Sequence, residues 1–135
     1  MAKKICIIED DESIQDVLNI ILKRAGYETI AFSDGRAILD GNYSLPDLFL
    51  VDKQLPVADG TVICRHLKKG RTTAFIPVIM MSAFPNGREY SVIAGANDFI
   101  EKPFKIDTLL ATIKKHLNLS TPELVTLDAS HLPSS

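Results

Sequence analysis

The stretch "KKICIIEDDESIQDVLNIILKRAG" (residues 3–26) holds the pattern that decides the fold. Its apolar run at 4–8 has the length of a buried strand, and the residues that follow repeat apolar side chains at the spacing of one helix face. Ser13 is placed to cap the start of this helix, and Gly26 is placed to end it. The stretch therefore predicts one strand that is followed directly by one helix.

The same alternation of strand and helix continues through the rest of the chain. Further apolar runs of strand length lie at 29–32, 47–51, 77–82 and 98–101. Further helical patterns lie at 35–41, 60–69, 87–95 and 105–117. The last helix but one is poor in apolar residues, so we expect it to be short or mobile. Because the central runs are apolar on both faces, the sequence predicts an α/β domain with a (βα)5 doubly wound, five-stranded parallel sheet.

The composition indicates a globular protein of one domain. The chain has 135 residues, of which 46% are apolar and 24% are charged, and its formal net charge is -2. This charge gives no basic field for nucleic acid, so we expect no direct nucleic-acid binding. No apolar run approaches the ~18 residues of a membrane span, and Cys6 and Cys64 match no metal or redox spacing. We therefore expect a cytoplasmic protein with reduced thiols and no membrane insertion.

The alternating pattern stops near residue 118. Residues 119–135 are rich in Ser, Thr and Pro, so we predict one domain at 1–118 and a C-terminal tail at 119–135. Ser120 and Glu123 have the spacing of a capping box, so a flexible tail and one more short helix both remain open.

Polar and charged side chains collect at the carboxyl ends of the predicted strands. They are Glu9, Asp10, Asp52, Ser82 and Lys102. Ligands of parallel sheets bind at these ends, so we expect the five side chains to face one pocket. Carboxylates that lie together need a compensating cation, and a few partly hydrated hard oxygen ligands suit Mg²⁺. A carboxylate can also attack a phosphoryl group, which makes Asp52 a candidate nucleophile.

Four motifs occur in order along the chain: "IIEDD" (7–11), "PDLFLVDKQLPVADG" (46–60), "PVIMMSA" (77–83) and "AGANDFIEKPF" (94–104). With them, residues 4–117 resemble the receiver domain of two-component response regulators, of the kind found in chemotaxis regulators. The resemblance implies a flavodoxin-like fold with strand order 2-1-3-4-5. It also implies a phosphorylation-activated signalling switch, not an enzyme beyond its own phosphorylation and dephosphorylation.

The resemblance implies a role for each acidic residue of the pocket. Asp52 matches the phospho-acceptor, which receives its phosphoryl group from a histidine kinase or a histidine phosphotransfer protein. Glu9 and Asp10 match the acidic pair that holds Mg²⁺ (or Mn²⁺), with Asp10 as the direct ligand and Glu9 acting through water. Asp52 and the main-chain carbonyl of Gln54 would complete the metal ligands.

Other positions match the groups that respond to phosphorylation. Ser82 and Lys102 match the hydroxyl and the ammonium that hold the phosphoryl oxygens, and the bond between Lys102 and Pro103 matches one that is cis in the family. Phe99 matches the switch aromatic, which turns inward when the hydroxyl moves and so repacks the surface of helix 4, strand 5 and helix 5.

Two further positions are expected to tune the lifetime of the phosphoryl group. They are Gln54, two residues after the acceptor, and Phe84, two residues after the hydroxyl. A bulky Phe84 would obstruct the attacking water, whereas Gln54 would instead orient a water molecule.

The sequence leaves partners and some alternatives open. Besides the phosphoryl donor, it implies an output partner of unknown identity, and a phosphorylation-dependent homodimer remains open. The chain is either a single-domain regulator or the receiver of a larger one. The complete set of site residues argues against a phosphate-independent interaction module. Gln54 argues against an aspartyl-phosphate hydrolase, because those enzymes usually carry a second acid at that position. The acidic loop after strand 1 argues against a flavin-binding flavodoxin.

The remaining charged residues near these motifs are assigned to ordinary roles. Asp11 is expected to face solvent and Glu12 to begin the first helix. Lys53 is expected to point to solvent, with positive charge at the rim of the site as the alternative. The three histidines are expected on the surface, away from the pocket: His66, His116 and His131.

Overall fold

The computed structural model describes residues 2–119, in which five strands alternate with five helices. The strands are β1 (Lys4–Ile8), β2 (Glu28–Phe32), β3 (Leu48–Asp52), β4 (Val78–Ser82) and β5 (Asp98–Glu101). The helices are α1 (Glu12–Arg24), α2 (Arg36–Asp40), α3 (Gly60–Lys69), α4 (Gly87–Ala94) and α5 (Ile106–Leu119). All neighbouring strands are parallel and their order is β2-β1-β3-β4-β5. The predicted doubly wound fold is therefore confirmed.

Alternate side chains of the strands supply two separate apolar layers. On one face of the sheet, Ile5, Ile7 and Leu50 pack with residues of α1 and α5. On the other face, Cys6 and Val51 pack with residues of α2, α3 and α4. Helices thus cover both faces, and every residue of β3 and β4 is buried, as the apolar runs in these strands predict.

The two cysteines are free and buried. Burial raises the pKa of the Cys6 thiol to about 12 and that of the Cys64 thiol to about 11. Both side chains therefore act as small apolar groups of the core.

The first helix begins earlier than its predicted cap. Glu12 is its first residue, and Asp11 is the N-cap because its Oδ1 accepts a hydrogen bond from the Ile14 N–H at 3.1 Å. The prediction that Ser13 caps the helix is wrong, since Ser13 lies inside the first turn. Gly26 follows the end of the helix with φ +96°, as predicted.

The last two helices frame the far edge of the sheet. Helix α4 has eight residues and ends at Gly95, which has φ 89°, so it is short as predicted. Helix α5 ends at Leu119, and the rest of the predicted tail lies outside the described residues, so its conformation stays a prediction. Within 2–119, no helix combines the length and apolar character needed to cross a membrane.

Candidate functional site

Four neighbouring strands end at one edge of the sheet and bring the predicted site residues together. The register pairs Ile8 of β1 with Val51 of β3, and Ser82 of β4 with Glu101 of β5. The residues that follow or terminate these strands therefore meet in one place. Among the described residues, the cluster of acids that could hold a metal ion is Glu9, Asp10 and Asp52.

One ammonium group joins two buried carboxylates at this edge. Lys102 Nζ donates a hydrogen bond to Glu9 Oε1 over 2.7 Å and lies 3.2 Å from Asp52 Oδ2. The exposed fractions of the Lys102, Glu9 and Asp52 side chains are 13%, 1% and 7%. Burial would lower the pKa of Lys102, but its hydrogen bond to Glu9 and the charge of Asp52 outweigh burial and raise that pKa. Lys102 is therefore held in its charged form.

Glu9 points into the protein and is bonded through both carboxylate oxygens. Its Oε2 accepts a hydrogen bond from the Asp11 N–H at 3.2 Å, and its main-chain carbonyl accepts one from Gln15 Nε2 at 3.0 Å. Burial raises the pKa of Glu9, and the nearby charge of Asp52 adds to this, whereas the bonds from Lys102 and Asp11 act to lower it. Burial prevails, so the pKa of Glu9 lies above its ordinary value.

The donor set fits a divalent cation that prefers hard oxygen ligands. Glu9, Asp10 and Asp52 each offer one carboxylate oxygen, and these oxygens lie within 4.8 Å of one another. Asp10 is exposed whereas the other two are buried, so the cluster is open to solvent on one side. Such a partly exposed oxygen cluster suits Mg²⁺, which usually keeps several of its waters.

The acceptor candidate is fixed by the backbone around it. The Gln54 N–H donates a long hydrogen bond of 3.4 Å to Asp52 Oδ1, and the Gly60 N–H donates to the Lys53 carbonyl at 2.7 Å. A Cβ at Gly60 would overlap the Asp52 carbonyl oxygen, so this close approach of α3 to β3 requires glycine. The side chain of Gln54 is exposed.

The hydroxyl candidate and the switch aromatic touch the start of the same helix. Ser82 is buried, and its Oγ accepts a hydrogen bond from the Phe84 N–H at 3.0 Å. A Cβ at Gly87 would lie 2.7 Å from the Ser82 Cβ and 2.9 Å from two ring atoms of Phe99. Phe99 is buried, and the guanidinium carbon of Arg88 lies 5.1 Å from its ring centroid. Ser82 and Phe99 are therefore packed around the first residue of α4.

The last predicted feature of the site is the bond that follows Lys102. The Lys102–Pro103 peptide bond is cis. The Lys102 N–H donates to the Ser82 carbonyl at 2.9 Å, so the end of β5 remains tied to β4 up to the lysine.

A comparison with protein families identifies the family to which this fold belongs. The model of the response regulator receiver domain matches residues 5–114. The chain belongs to the response regulator receiver family. Receiver domains act in the phosphorylation-dependent signalling of two-component systems, as switches and not as classical enzymes. They bind Mg²⁺ in an acidic active site and interact with histidine kinases or phosphotransfer proteins.

Individual relatives agree with this assignment. The transcriptional regulatory protein YxdJ of Bacillus subtilis (strain 168) is 39% identical over 118 residues, which are 84% of this chain and 50% of that protein. The chain therefore spans about half the length of this curated relative. A putative response regulator from Chloroflexus aurantiacus J-10-fl has a TM-score of 0.82 at 29% identity, covering 87% of this chain and 98% of the other. The receiver domain of the sensor histidine kinase PA1611 from Pseudomonas aeruginosa PAO1, solved with magnesium coordinated in its active-site cleft, has a TM-score of 0.80 at 28% identity, covering 87% and 98% of the two chains.

Lys53 of this receiver domain does not point to solvent, so that prediction is wrong. Its side chain is 13% exposed, and its Nζ lies 3.3 Å from Asp59 Oδ1. The same Nζ lies 4.8 Å from the ring centroid of Tyr90 and 5.6 Å from that of Phe84. This cluster could not be predicted from the sequence because Phe84 lies in the loop after β4 and Tyr90 lies in α4, both far from Lys53 in the chain. The unusual charge directly after the acceptor is the one local signal for it.

One histidine of the receiver domain also departs from its prediction. The His116 side chain is 12% exposed, and its Nε2 lies 2.7 Å from Asp98 Oδ2, so it is not a surface residue. Burial acts to raise the pKa of Asp98, but the bonds from His116 and from the Phe99 N–H lower it below its usual range. His66 is exposed as predicted, and His131 lies outside the described residues.

Proposed function

We propose that this receiver domain accepts a phosphoryl group on Asp52 from a histidine kinase or a histidine phosphotransfer protein, in a reaction that requires Mg²⁺ or Mn²⁺. The observation that carries the proposal is the meeting of three carboxylates and one ammonium at a single edge of the sheet. Lys102 Nζ lies 3.2 Å from Asp52 Oδ2, and the oxygens of Glu9, Asp10 and Asp52 lie within 4.8 Å of one another.

In the proposed reaction, an oxygen of Asp52 attacks the phosphorus atom of a phosphohistidine. The new P–O bond forms as the P–N bond breaks, and the electron pair leaves on the imidazole nitrogen, which takes up a proton. A bound divalent cation would neutralise charge on the phosphoryl oxygens. Glu9, Asp10, Asp52 and the Gln54 carbonyl would hold that cation, with Glu9 acting through water.

Two further side chains would hold the phosphoryl group once it is attached. Lys102 already contacts Asp52, so a small movement of its ammonium would bring it to a phosphoryl oxygen. The Ser82 hydroxyl now accepts a hydrogen bond from the Phe84 N–H. It would give up this bond and turn towards the phosphoryl group. The added charge of roughly two negative units provides the attraction for both movements.

The conformational change would extend from this site to the surface formed by α4, β5 and α5. Ser82 and Phe99 both pack on Gly87, so a movement of Ser82 changes the space that the ring occupies. Closely packed groups of this kind favour two discrete arrangements over a continuous deformation. The output partner that reads this surface is not identified, and a phosphorylation-dependent homodimer remains one form of the output.

Gln54 and Phe84 are proposed to tune how long the phosphoryl group lasts. Phe84 follows Ser82 by two residues and is bonded to it through its N–H. Its ring would obstruct a water molecule that approaches the phosphorus atom. Gln54 is bonded to Asp52 through its N–H and is exposed, so its amide would orient such a water molecule.

The decisive experiment treats the protein with acetyl phosphate, with and without Mg²⁺, and measures the mass of the peptide that contains Asp52. The reversible binding of beryllofluoride is followed separately by isothermal titration calorimetry of the folded protein. We expect a Mg²⁺-dependent adduct that is lost in Asp52→Ala. Asp10→Ala should abolish the adduct, whereas Glu12→Ala, an exposed acid close by in the sequence, should retain it. No adduct in the native protein would leave only a phosphate-independent interaction module, and an adduct that survives Asp52→Ala would refute Asp52 as the acceptor. Phosphotransfer from a panel of histidine kinases would then identify the donor.

A further inference from the structure

Lys53 joins the loop after the acceptor to the region where α4 begins. Its Nζ is 3.3 Å from Asp59 Oδ1 and faces the rings of Tyr90 and Phe84 at 4.8 and 5.6 Å. Asp59 is itself fixed, because it accepts hydrogen bonds from the Thr61 N–H at 2.9 Å and from the Thr61 hydroxyl at 2.6 Å. The cation is thus anchored at the start of α3 and reaches two rings on the other side of the site.

The backbone of Lys53 is held in place by hydrogen bonds on both sides. The Lys53 N–H donates to the Met81 carbonyl at 2.8 Å, and the Lys53 carbonyl accepts from the Gly60 N–H at 2.7 Å. Cation–π contacts are stronger when the cation is removed from water, as it is here. Phe84 is consequently held twice, by Lys53 through its ring and by Ser82 through its N–H.

We propose that Lys53 is a positioning residue that fastens residues 84–90 beside Asp52, and that this contact prolongs the lifetime of the phosphoryl group. We call the contact of Lys53 with Asp59, Phe84 and Tyr90 the Lys53 clamp. Releasing the clamp frees the Phe84 ring to leave the approach to Asp52, so water reaches the phosphorus atom more often. The role in lifetime rests on the proposed phosphorylation of Asp52, but the clamp itself does not.

The clamp can be tested on the unphosphorylated protein by amide hydrogen exchange of residues 84–90. We expect exchange in Lys53→Gln to be about tenfold faster than in the native protein, because the variant loses a desolvated cation–π contact whose free energy corresponds to roughly that factor. Lys53→Arg keeps the charge and should restore slow exchange, and Tyr90→Phe keeps the ring and should also exchange slowly. Lys114→Gln, a change of an exposed lysine on α5, is the matched control. Unchanged exchange in Lys53→Gln would overturn the clamp.

The role in lifetime is tested by the decay of the acyl phosphate after removal of acetyl phosphate. We expect Lys53→Gln to lose the group at least about threefold faster than the native protein, with Lys53→Arg near the native rate. Faster exchange at 84–90 together with an unchanged decay rate would overturn the proposed role while leaving phosphorylation intact. A native protein that is never modified at Asp52 would instead refute the proposed function, and the exchange measurement would still decide whether the clamp exists.

Discussion

Replacing Lys102 with methionine removes the ammonium group that contacts both Glu9 and Asp52 and changes the shape of the side chain little. The lysine is 13% exposed and lies 2.7 Å from one carboxylate and 3.2 Å from the other. Removal of one partner from a buried ion pair typically destabilises a protein by 3–5 kcal/mol, because the remaining charge is left uncompensated. We expect Lys102→Met to lower the free energy of unfolding by about 3 kcal/mol at neutral pH.

This loss should depend on pH in a direction that Glu9 determines. The pKa of Glu9 is raised above its ordinary value of 4.5, so its contribution to stability is fully present below 4.5 and is lost as the pH rises through the raised pKa. Without Lys102, the bond that acts to lower this pKa is gone and the raised pKa moves further up. The difference between variant and native protein should therefore be largest at neutral pH and shrink as the pH approaches 4.5.

Urea unfolding, followed by circular dichroism at neutral pH and near the ordinary pKa of Glu9, measures the effect. Millimolar Mg²⁺ should recover part of the stability of the variant at neutral pH, since the cation replaces the missing charge, and much less at the acidic pH. Lys114→Met is the control for loss of an exposed lysine and should unfold like the native protein. A loss of stability that is the same at both pH values and insensitive to Mg²⁺ would refute the electrostatic reasoning and assign Lys102 a packing role.

Three further changes test the close contacts around the site. Gly87→Ala places a Cβ at 2.7 Å from Ser82 and 2.9 Å from the Phe99 ring. Urea unfolding should therefore show that the free energy of unfolding falls by about 1–3 kcal/mol, and side-chain NMR should show a displaced Phe99 ring. Unchanged spectra would contradict this packing. Gly60→Ala should also lower the free energy of unfolding by about 1–3 kcal/mol in the same assay, because its Cβ overlaps a backbone carbonyl. No change in stability would mean that α3 can shift freely. Phe84→Ala should shorten the life of the acyl phosphate in the decay assay, and an equal or longer life would show that the ring does not obstruct water.

The fold could be predicted closely because its main signals are local. The apolar runs that became β1 and β5 were predicted with the bounds that the structure has, and α3 was predicted residue for residue. Strands β2 and β4 differ from their predicted ranges by one residue at the start, and β3 is shifted by one residue at both ends, because the apolar pattern gives no sharp limit there. The cap of α1 was missed because Asp11 and Ser13 are both good capping residues, and only the geometry of the first turn distinguishes them.

The same distinction applies to the candidate site: features that follow from local sequence signals could be predicted, and contacts between distant elements could not. The strand ends were predictable because a parallel sheet brings them to one edge, whichever residues they carry. The partners of Lys53 and His116 were not, because Tyr90 and Asp98 lie on other elements and no periodicity connects them. A signal for His116 did exist: it follows Ile113 by three residues and precedes Leu117, so it borders the buried stripe of α5. The position of His116 beside this stripe therefore predicts a side chain that turns inward to a partner, and not a surface residue.

The chain can carry four consecutive acids after β1 because it turns there from strand to helix, and the turn directs the four side chains to different surroundings. Glu9 points inward to Lys102, and Asp10 is exposed with one oxygen near those of the site carboxylates. Asp11 turns back to cap α1, and Glu12 lies in its first turn, where the helix dipole favours an acid. Glu9, Asp11 and Glu12 thus each meet a different source of positive charge or hydrogen-bond donors, whereas Asp10 is exposed to solvent, so repulsion within the run is largely offset locally. It follows that the four acids are not interchangeable: loss of Asp10 should affect cation binding, whereas loss of Asp11 should affect the stability of α1.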